Sequence, residues 1–219
     1  MTIQAVLFDF DGTLANTLPL CIYSLQEVFR TFDQRELAVK EAKEWLGNPE
    51  SKIIEEHLLS NQKFEAIEYY YKVYKNNHSR LVENNREIDH LLSYLKEEAI
   101  KLAIVTGKGR RSLQISLECL QMTSIFDCIV TGDDVLQAEP DPEGINLALS
   151  MLEVPSSEVI FLGDSNCDIE AGLKANIYTA GVHWLPDGKT TEFEVIPDSA
   201  FLTVDEFLDF LKLGALHES

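Results

Sequence analysis

The sequence predicts an α/β fold, a doubly wound parallel sheet interrupted by one inserted helical unit. Three observations carry this expectation. Apolar runs without alternation recur along the chain, as expected of parallel strands buried on both faces. Helical periods separate the later runs, in the manner of βαβ units. The interval between the first run, at 3–9, and the second, at 101–106, is far longer than one crossover, so it must hold a second unit. With 219 residues, 45% of them hydrophobic, the chain can bury a sizeable core, and one α/β domain with an insertion is the natural prior.

Taken in order, the first strand is expected around Ala5-Val6-Leu7-Phe8. Residues 15–85 then read as almost wholly helical: Leu18 to Phe32, Glu36 to Leu46, Ser51 to Leu59 and Phe64 to Val82 carry apolar residues at helical spacing. Glu87 to Glu98 forms the helix leading into the strand at 101–106. Helices near 110–121, 142–152 and 166–175 alternate with strands at 127–131, 158–163 and 177–183. Ala200-Phe201-Leu202-Thr203 adds a short edge strand before a terminal helix at about 204–213.

Four pieces, widely separated along the chain, carry phosphate chemistry. Asp9-Phe10-Asp11-Gly12-Thr13 follows the first strand, Val105-Thr106-Gly107 ends the second, Ala138-Glu139-Pro140-Asp141-Pro142 precedes a helix, and Gly163-Asp164-Ser165-Asn166-Cys167-Asp168 ends the run Val159-Ile160-Phe161-Leu162. Open α/β sheets bind ligands beyond the C-terminal ends of their strands. A carboxylate there can accept a phosphoryl group and divide hydrolysis into two steps, and Asp9 is placed for that attack. Asp11 leaves the strand on the same side by period-2 alternation, and can protonate a departing alcohol and later deprotonate water. Gly12 permits the tight departure, and Thr106 with nearby N–H groups can donate to phosphate oxygens. The carboxylates repel one another and the phosphate, so a hard cation is needed, and Mg2+ suits oxygen ligands. Asp9 is expected to be an exposed loop carboxylate.

In this order the four pieces resemble the haloacid dehalogenase superfamily, in its phosphoglycolate phosphatase-like branch. The resemblance implies Asp9 as nucleophile, Asp11 as acid and base, Thr106 and Gly107 on the phosphate, and Gly12 and Thr13 lining the same loop. It implies magnesium held by the Asp9 side chain, the Asp11 backbone carbonyl and Asp164, with Asp168 acting through water or from behind. It further implies a catalytic core of residues 1–14 and 86–219 with a helical cap at 15–85. In that branch a loop between cap helices dips towards the nucleophile; here it is Gly47-Asn48-Pro49-Glu50, where Asn48 could meet a substrate hydroxyl or carboxylate. Asn16 is a hinge or substrate contact on one reading and a helix cap on another, and Lys52 a negative-group contact or a solvated charge. An acid at Asp11 points to phosphate monoesters or phosphotransfer, not to dehalogenation.

One position departs from the pattern: the family's Lys reads Glu139, a change of two charge units. No Lys or Arg stands between Arg111 and Lys174, so shifting the alignment does not restore it. Lys108 is the best replacement, with Arg110 and Arg111 behind it; equally, the three are solvated charges opening a helix. Glu139 could instead hold a second cation or a positive substrate group.

Composition narrows the partners. Acidic residues number 37 against 18 basic, a formal charge of −19, which excludes nucleic acid and anionic membrane surfaces as natural partners. Met1-Thr2-Ile3-Gln4 enters the first strand without the basic and apolar segments of a signal peptide, and no stretch reaches transmembrane length; a cytoplasmic protein is expected. Cys21, Cys119, Cys128 and Cys167 show no metal-ligand spacing and are expected reduced and mostly buried. His57, His78, His90, His183 and His217 form no ligand set. Tyr69-Tyr70-Tyr71 and Tyr74 point several ways on a helix and are expected in packing. The expected function is a magnesium-dependent phosphatase of small phosphorylated metabolites, monomeric or homodimeric. The alternatives are an impaired relative that binds or regulates, and a sugar-phosphate mutase.

Overall fold

The structure, a computed structural model, describes residues 3–188, 190 and 192–216, the side chains of 214–216 excepted. Met1, Thr2 and His217 lie outside the described residues. Its strands are β1 (Ala5–Phe8), β2 (Lys101–Val105), β3 (Cys128–Val130), β4 (Val159–Gly163), β5 (Tyr178–Val182) and β6 (Ser199–Phe201). They form one parallel sheet in the order β3-β2-β1-β4-β5-β6. The central strands are buried on both faces, which is why their sequences are continuous apolar runs.

The helices are α1 (Leu18–Asp33), α2 (Val39–Trp45), α3 (Glu50–His57), α4 (Lys63–Leu81), α5 (Arg86–Glu97), α6 (Arg110–Cys119), α7 (Glu143–Leu152), α8 (Asn166–Lys174) and α9 (Val204–Leu216). Val6 and Phe8 of β1 face the layer built by α5, α6 and α9, through residues such as Leu91, Leu117 and Phe207. Ala5 and Leu7 face α7 and α8 through Ile145 and Ala171. Alternation within one short strand thus builds two cores.

Register fixes where the chemistry emerges. Phe8 pairs with Ile104 of β2 and with Leu162 of β4, so all three strands end at one height. The chain leaves β1 towards β2 and β3, returns to β4 on the other side of β1, and continues outward to β5 and β6. The crevice between β1 and β4 is therefore the topological switch point, where such sheets take their ligands.

Helices α1–α4 fill the long interval before β2. α1 packs along α4, whose Tyr70 and Tyr74 are fully buried with ring centroids 5.8 Å apart, and the Arg111 guanidinium lies 4.3 Å from the Tyr71 ring. Two boundaries depart from the helical periodicity. α2 begins at Val39, not Glu36, because Gln34 adopts a left-handed φ of 52° and Ala38 is extended. α3 begins at Glu50, directly after Pro49, whose φ of −55° suits a helix entry. Two cysteines also depart from expectation: Cys21 and Cys128 are buried, whereas Cys119 and Cys167 are exposed. Both exposed thiols lie off the buried faces of their helices, which are Leu113, Ser116 and Leu117 in α6 and Ile169 and Gly172 in α8.

α4 joins the sheet layer through a polar contact. The Ser116 hydroxyl of α6 lies 2.8 Å from Tyr74 Oη and 3.1 Å from His78 Nε2. Burial, helped by the Lys108 charge, pushes His78 down to about 4 from an ordinary 6.5. Between those values the unfolded chain takes up a proton that the native one refuses, so stability falls as pH falls through the window, by up to about 3 kcal/mol. His78→Gln should flatten that part of the stability curve, as checked by urea unfolding of both proteins at pH 7 and pH 4.5.

Candidate active site

Asp9 directly follows β1 and is fully buried, not the exposed loop carboxylate its context suggests. The reason is the register: its N–H still donates to Leu162 O at 2.9 Å, so it remains clasped between neighbouring strands. Thr106, one residue past β2, donates its hydroxyl to Asp9 Oδ1 at 2.6 Å. From β4, Asp164 and then Asp168 complete a group of three buried carboxylates whose oxygens lie within 4.8 Å of one another. Thr13 Oγ1 reaches Asp164 Oδ1 at 3.5 Å, and Trp184 Nε1 donates to Thr13 O at 2.7 Å, holding the loop from outside.

The turn out of β1 demands glycine. Gly12 has a φ of 97°, and a Cβ there would lie 2.3 Å from Asp164 Oδ2, so both conformation and space exclude a side chain. Asp168 has two roles. Its Oδ2 accepts the Ser165 N–H at 2.8 Å while Ser165 Oγ accepts the Asp168 N–H, a reciprocal cap for α8. Its Oδ1 is buried with no hydrogen-bond partner among the described residues. Three converging carboxylates, one with an orphaned oxygen, are a donor set that fits a hard divalent cation. Asp168 thus belongs to the converging group while its other oxygen caps α8.

Asp11 is 7% exposed and faces the helical layer. Its Oδ1 accepts from the Thr17 hydroxyl, and Lys108 Nζ lies 3.1 Å from both of its oxygens. Lys108 is neither solvated nor on Asp9. Its side chain is wholly buried, with Nζ 3.5 Å from Glu50 Oε1 and 3.3 Å from Cys21 Sγ, and 4.8 Å from the Tyr74 ring centroid. Burial alone would lower Lys108, but the Asp11 carboxylate leads the causes that oppose it and hold the ammonium well above its ordinary range. Burial, then Asp11, pushes the Cys21 thiol up to about 12. Cys21 therefore contributes a neutral sulfur, not a nucleophile. Arg110 and Arg111 turn elsewhere, to Asp134 and Glu68.

Glu50 is the residue that the sequence did not single out. After Pro49 it reads as an ordinary acidic helix start, yet it is 2% exposed and accepts from the Ser112 hydroxyl of α6. Burial pushes its carboxyl up, with Lys108 and Ser112 opposing. The loop that carries it is seated by backbone contact: a Cβ on Gly107 would lie 2.1 Å from Gly47 O. Asn48 is half-buried and lines a cleft of about 380 Å³ together with Lys43, Glu139, Ser165, Asn166 and Thr190. Glu139 thus sits in that cleft, ahead of a cis peptide to Pro140. Asn16 does not cap α1. Thr17 occupies the cap position, and Asn16 Nδ2 donates to Asp187 Oδ2 at 2.9 Å. Lys52 is exposed. His183 stacks on Phe193, with centroids 4.4 Å apart.

The chain is similar to known proteins. A profile of haloacid dehalogenase-like hydrolases matches residues 6–182. Pyrophosphatase PpaX of Anoxybacillus flavithermus is 32% identical over 96% of this chain and 98% of its own length. Among solved structures, a predicted phosphoglycolate phosphatase from Haemophilus somnus superposes with a TM-score of 0.83 at 20% identity, covering 96% of this chain and 99% of its own. CbbY from Rhodobacter sphaeroides, in complex with phosphate, does so with a TM-score of 0.81 at 23% identity over 94% and 96%. At those identities the solved structures speak for the fold alone. The family profile and the full-length relative go further, and by them the chain belongs to the haloacid dehalogenase-like hydrolases.

Proposed function

We propose that this protein is a magnesium-dependent phosphatase of small phosphorylated substrates, working through an aspartyl-phosphate on Asp9. The observation that carries the reading is the convergence of Asp9, Thr106, Asp164 and Asp168 at the switch point, with Asp11 two residues beyond the nucleophile. In the first step an Asp9 oxygen bonds to phosphorus as the ester P–O bond breaks, and Asp11 gives its proton to the departing oxygen. In the second, Asp11 takes a proton from water as the water oxygen bonds to phosphorus, and the Asp9–phosphorus bond breaks to release inorganic phosphate. Thr106 and the N–H groups of its loop orient the phosphoryl oxygens. Magnesium would be held by Asp9, Asp164 and Asp168, with the Asp11 carbonyl as a further ligand, and would supply charge neutralisation for the phosphoryl group.

Residues 15–85 act in this reading as a cap that limits the leaving group to what the adjoining cleft accepts. The volume of about 380 Å³ suits a small metabolite, and the naming of a relative as a pyrophosphatase makes inorganic pyrophosphate one member of the substrate set to assay. Phosphate release from a panel of monoesters and pyrophosphate, with and without added magnesium, tests the proposal. Turnover of at least one compound, absent in Asp9→Asn, is expected. Tight binding of phosphorylated compounds without turnover would instead make this a binding or regulatory relative.

Glu139 supports a sharper expectation. Lys108 Nζ already donates to Asp11 Oδ2 and Cys21 Sγ and is paired with Glu50 at 3.5 Å, so its charge is engaged away from a transferring phosphoryl group. Glu139→Lys would place a cation in the cleft beside that group, and a gain of about 10²-fold in kcat/KM is expected by analogy with other electrostatic groups. Steady-state kinetics on the best substrate of the panel decide it. An unchanged rate would mean that another cation already serves.

A further inference from the structure

We propose that Glu50 is a positioning residue: from the first turn of α3 it anchors Lys108 and, through Lys108, the Asp11 carboxylate, so that seating of the helical layer completes the catalytic arrangement. The inference rests on the reading of Asp11 as the acid and base of a phosphatase. Glu50 does not touch the reacting atoms. It meets Lys108 Nζ at 3.5 Å, and the two oxygens of Asp11 are each 3.1 Å from the same nitrogen.

Three features distinguish this pair from an ion pair that merely staples two parts of the protein. First, it is dry: the Lys108 side chain is 0% exposed and that of Glu50 3%, and a buried pair is a poor source of stability compared with apolar residues of the same size. Packing alone does not call for a carboxylate here. Second, the ammonium is shared. Both Asp11 and Glu50 hold the long Lys108 side chain; without Glu50 it would be freer to turn towards an incoming phosphate, leaving Asp11 held by Thr17 and Cys21 alone. Third, Glu50 is itself placed from across the junction. Ser112 of α6 donates to Oε1, and a Cβ on Gly109 would lie 2.5 Å from Oε2. A carboxylate that belongs to α3 is thus gripped by the loop and helix that follow β2. Displacing the α3 turn by more than the length of a hydrogen bond would take Glu50 off Lys108 and loosen Asp11 with it.

The test is a double-mutant cycle on kcat, with p-nitrophenyl phosphate and magnesium as the assay and thermal unfolding measured beside it. Glu50→Gln is isosteric and keeps an acceptor for Ser112. It should lower kcat about tenfold while KM changes less than twofold, within the 10²–10⁴-fold that a general acid contributes in full. Lys108→Met should lower kcat by roughly 10²-fold, and the double variant should be no slower than Lys108→Met alone, because a residue acting only through its neighbour has nothing further to lose. Should Lys108→Met fail to fold, Lys108→Arg takes its place in the cycle, keeping the charge but changing its reach. A Glu50→Gln kcat within twofold of wild type would overturn the inference, and so would losses that multiply in the double variant. Wild-type turnover no higher than that of Asp9→Asn would instead sink the phosphatase reading, and the role of Glu50 would fall with it.

Discussion

Asp9→Asn is expected to abolish turnover, by at least about 10⁴-fold, because an amide oxygen is a far weaker nucleophile than a carboxylate and the two-step route has no substitute for it. The fold should survive. Asp9 is fully buried beside Asp164 and Asp168, so neutralising it removes like-charge repulsion, and the amide keeps an oxygen for the Thr106 hydroxyl. A melting temperature equal to or above that of wild type in metal-free buffer, together with absent activity, is the expected pair of results. A variant retaining a tenth of the wild-type rate would rule out the covalent route.

Removing divalent cations should be as severe. With three buried carboxylates converging, a phosphate dianion brought to the site adds like charge that a divalent cation would offset. Exhaustive chelation should silence activity and magnesium restore it. Asp164→Ala should raise the magnesium concentration needed for half-maximal rate by about 10-fold or more, as expected when one of a few oxygen ligands is lost. Rates that survive chelation would contradict the assigned cation site. Asp168→Ala carries a second signature, since it removes one half of the α8 cap and should also lower stability by about 1 kcal/mol.

How far the sequence reveals this molecule depends on how local each determinant is. β1, β2 and β4 are legible because strands buried on both faces must be continuously apolar, and the acids and threonine that end them are legible because ligands gather there. The first boundary of α2 was hidden by Gln34, whose left-handed turn no periodicity announces. Asp9 reads as exposed because a loop follows it, yet strand pairing beyond the apolar run keeps it inside. The fate of Lys108 was decided by a partner in another element. Nothing local in Gly107-Lys108-Gly109 tells a solvated lysine from one enclosed by Asp11, Cys21 and Glu50. Glu50, in turn, looks like any acidic residue opening a helix until α3 is laid against α6. For Asp9, Lys108 and Glu50 what was missed is contact between distant segments, and composition and spacing carry no record of it.

The two tryptophans give the protein a native optical readout of both halves of the site. Trp184 is tied through its indole N–H to the carbonyl of Thr13, in the nucleophile loop, whereas Trp45 lies on α2, its ring stacked on His57 at a centroid distance of 4.0 Å. Loss of the stack on His57 alters the emission of one, and rearrangement of the loop alters that of the other. Single Trp→Phe variants would therefore let stopped-flow fluorescence time events at the phosphate-bearing loop separately from events in the helical layer, without any attached dye.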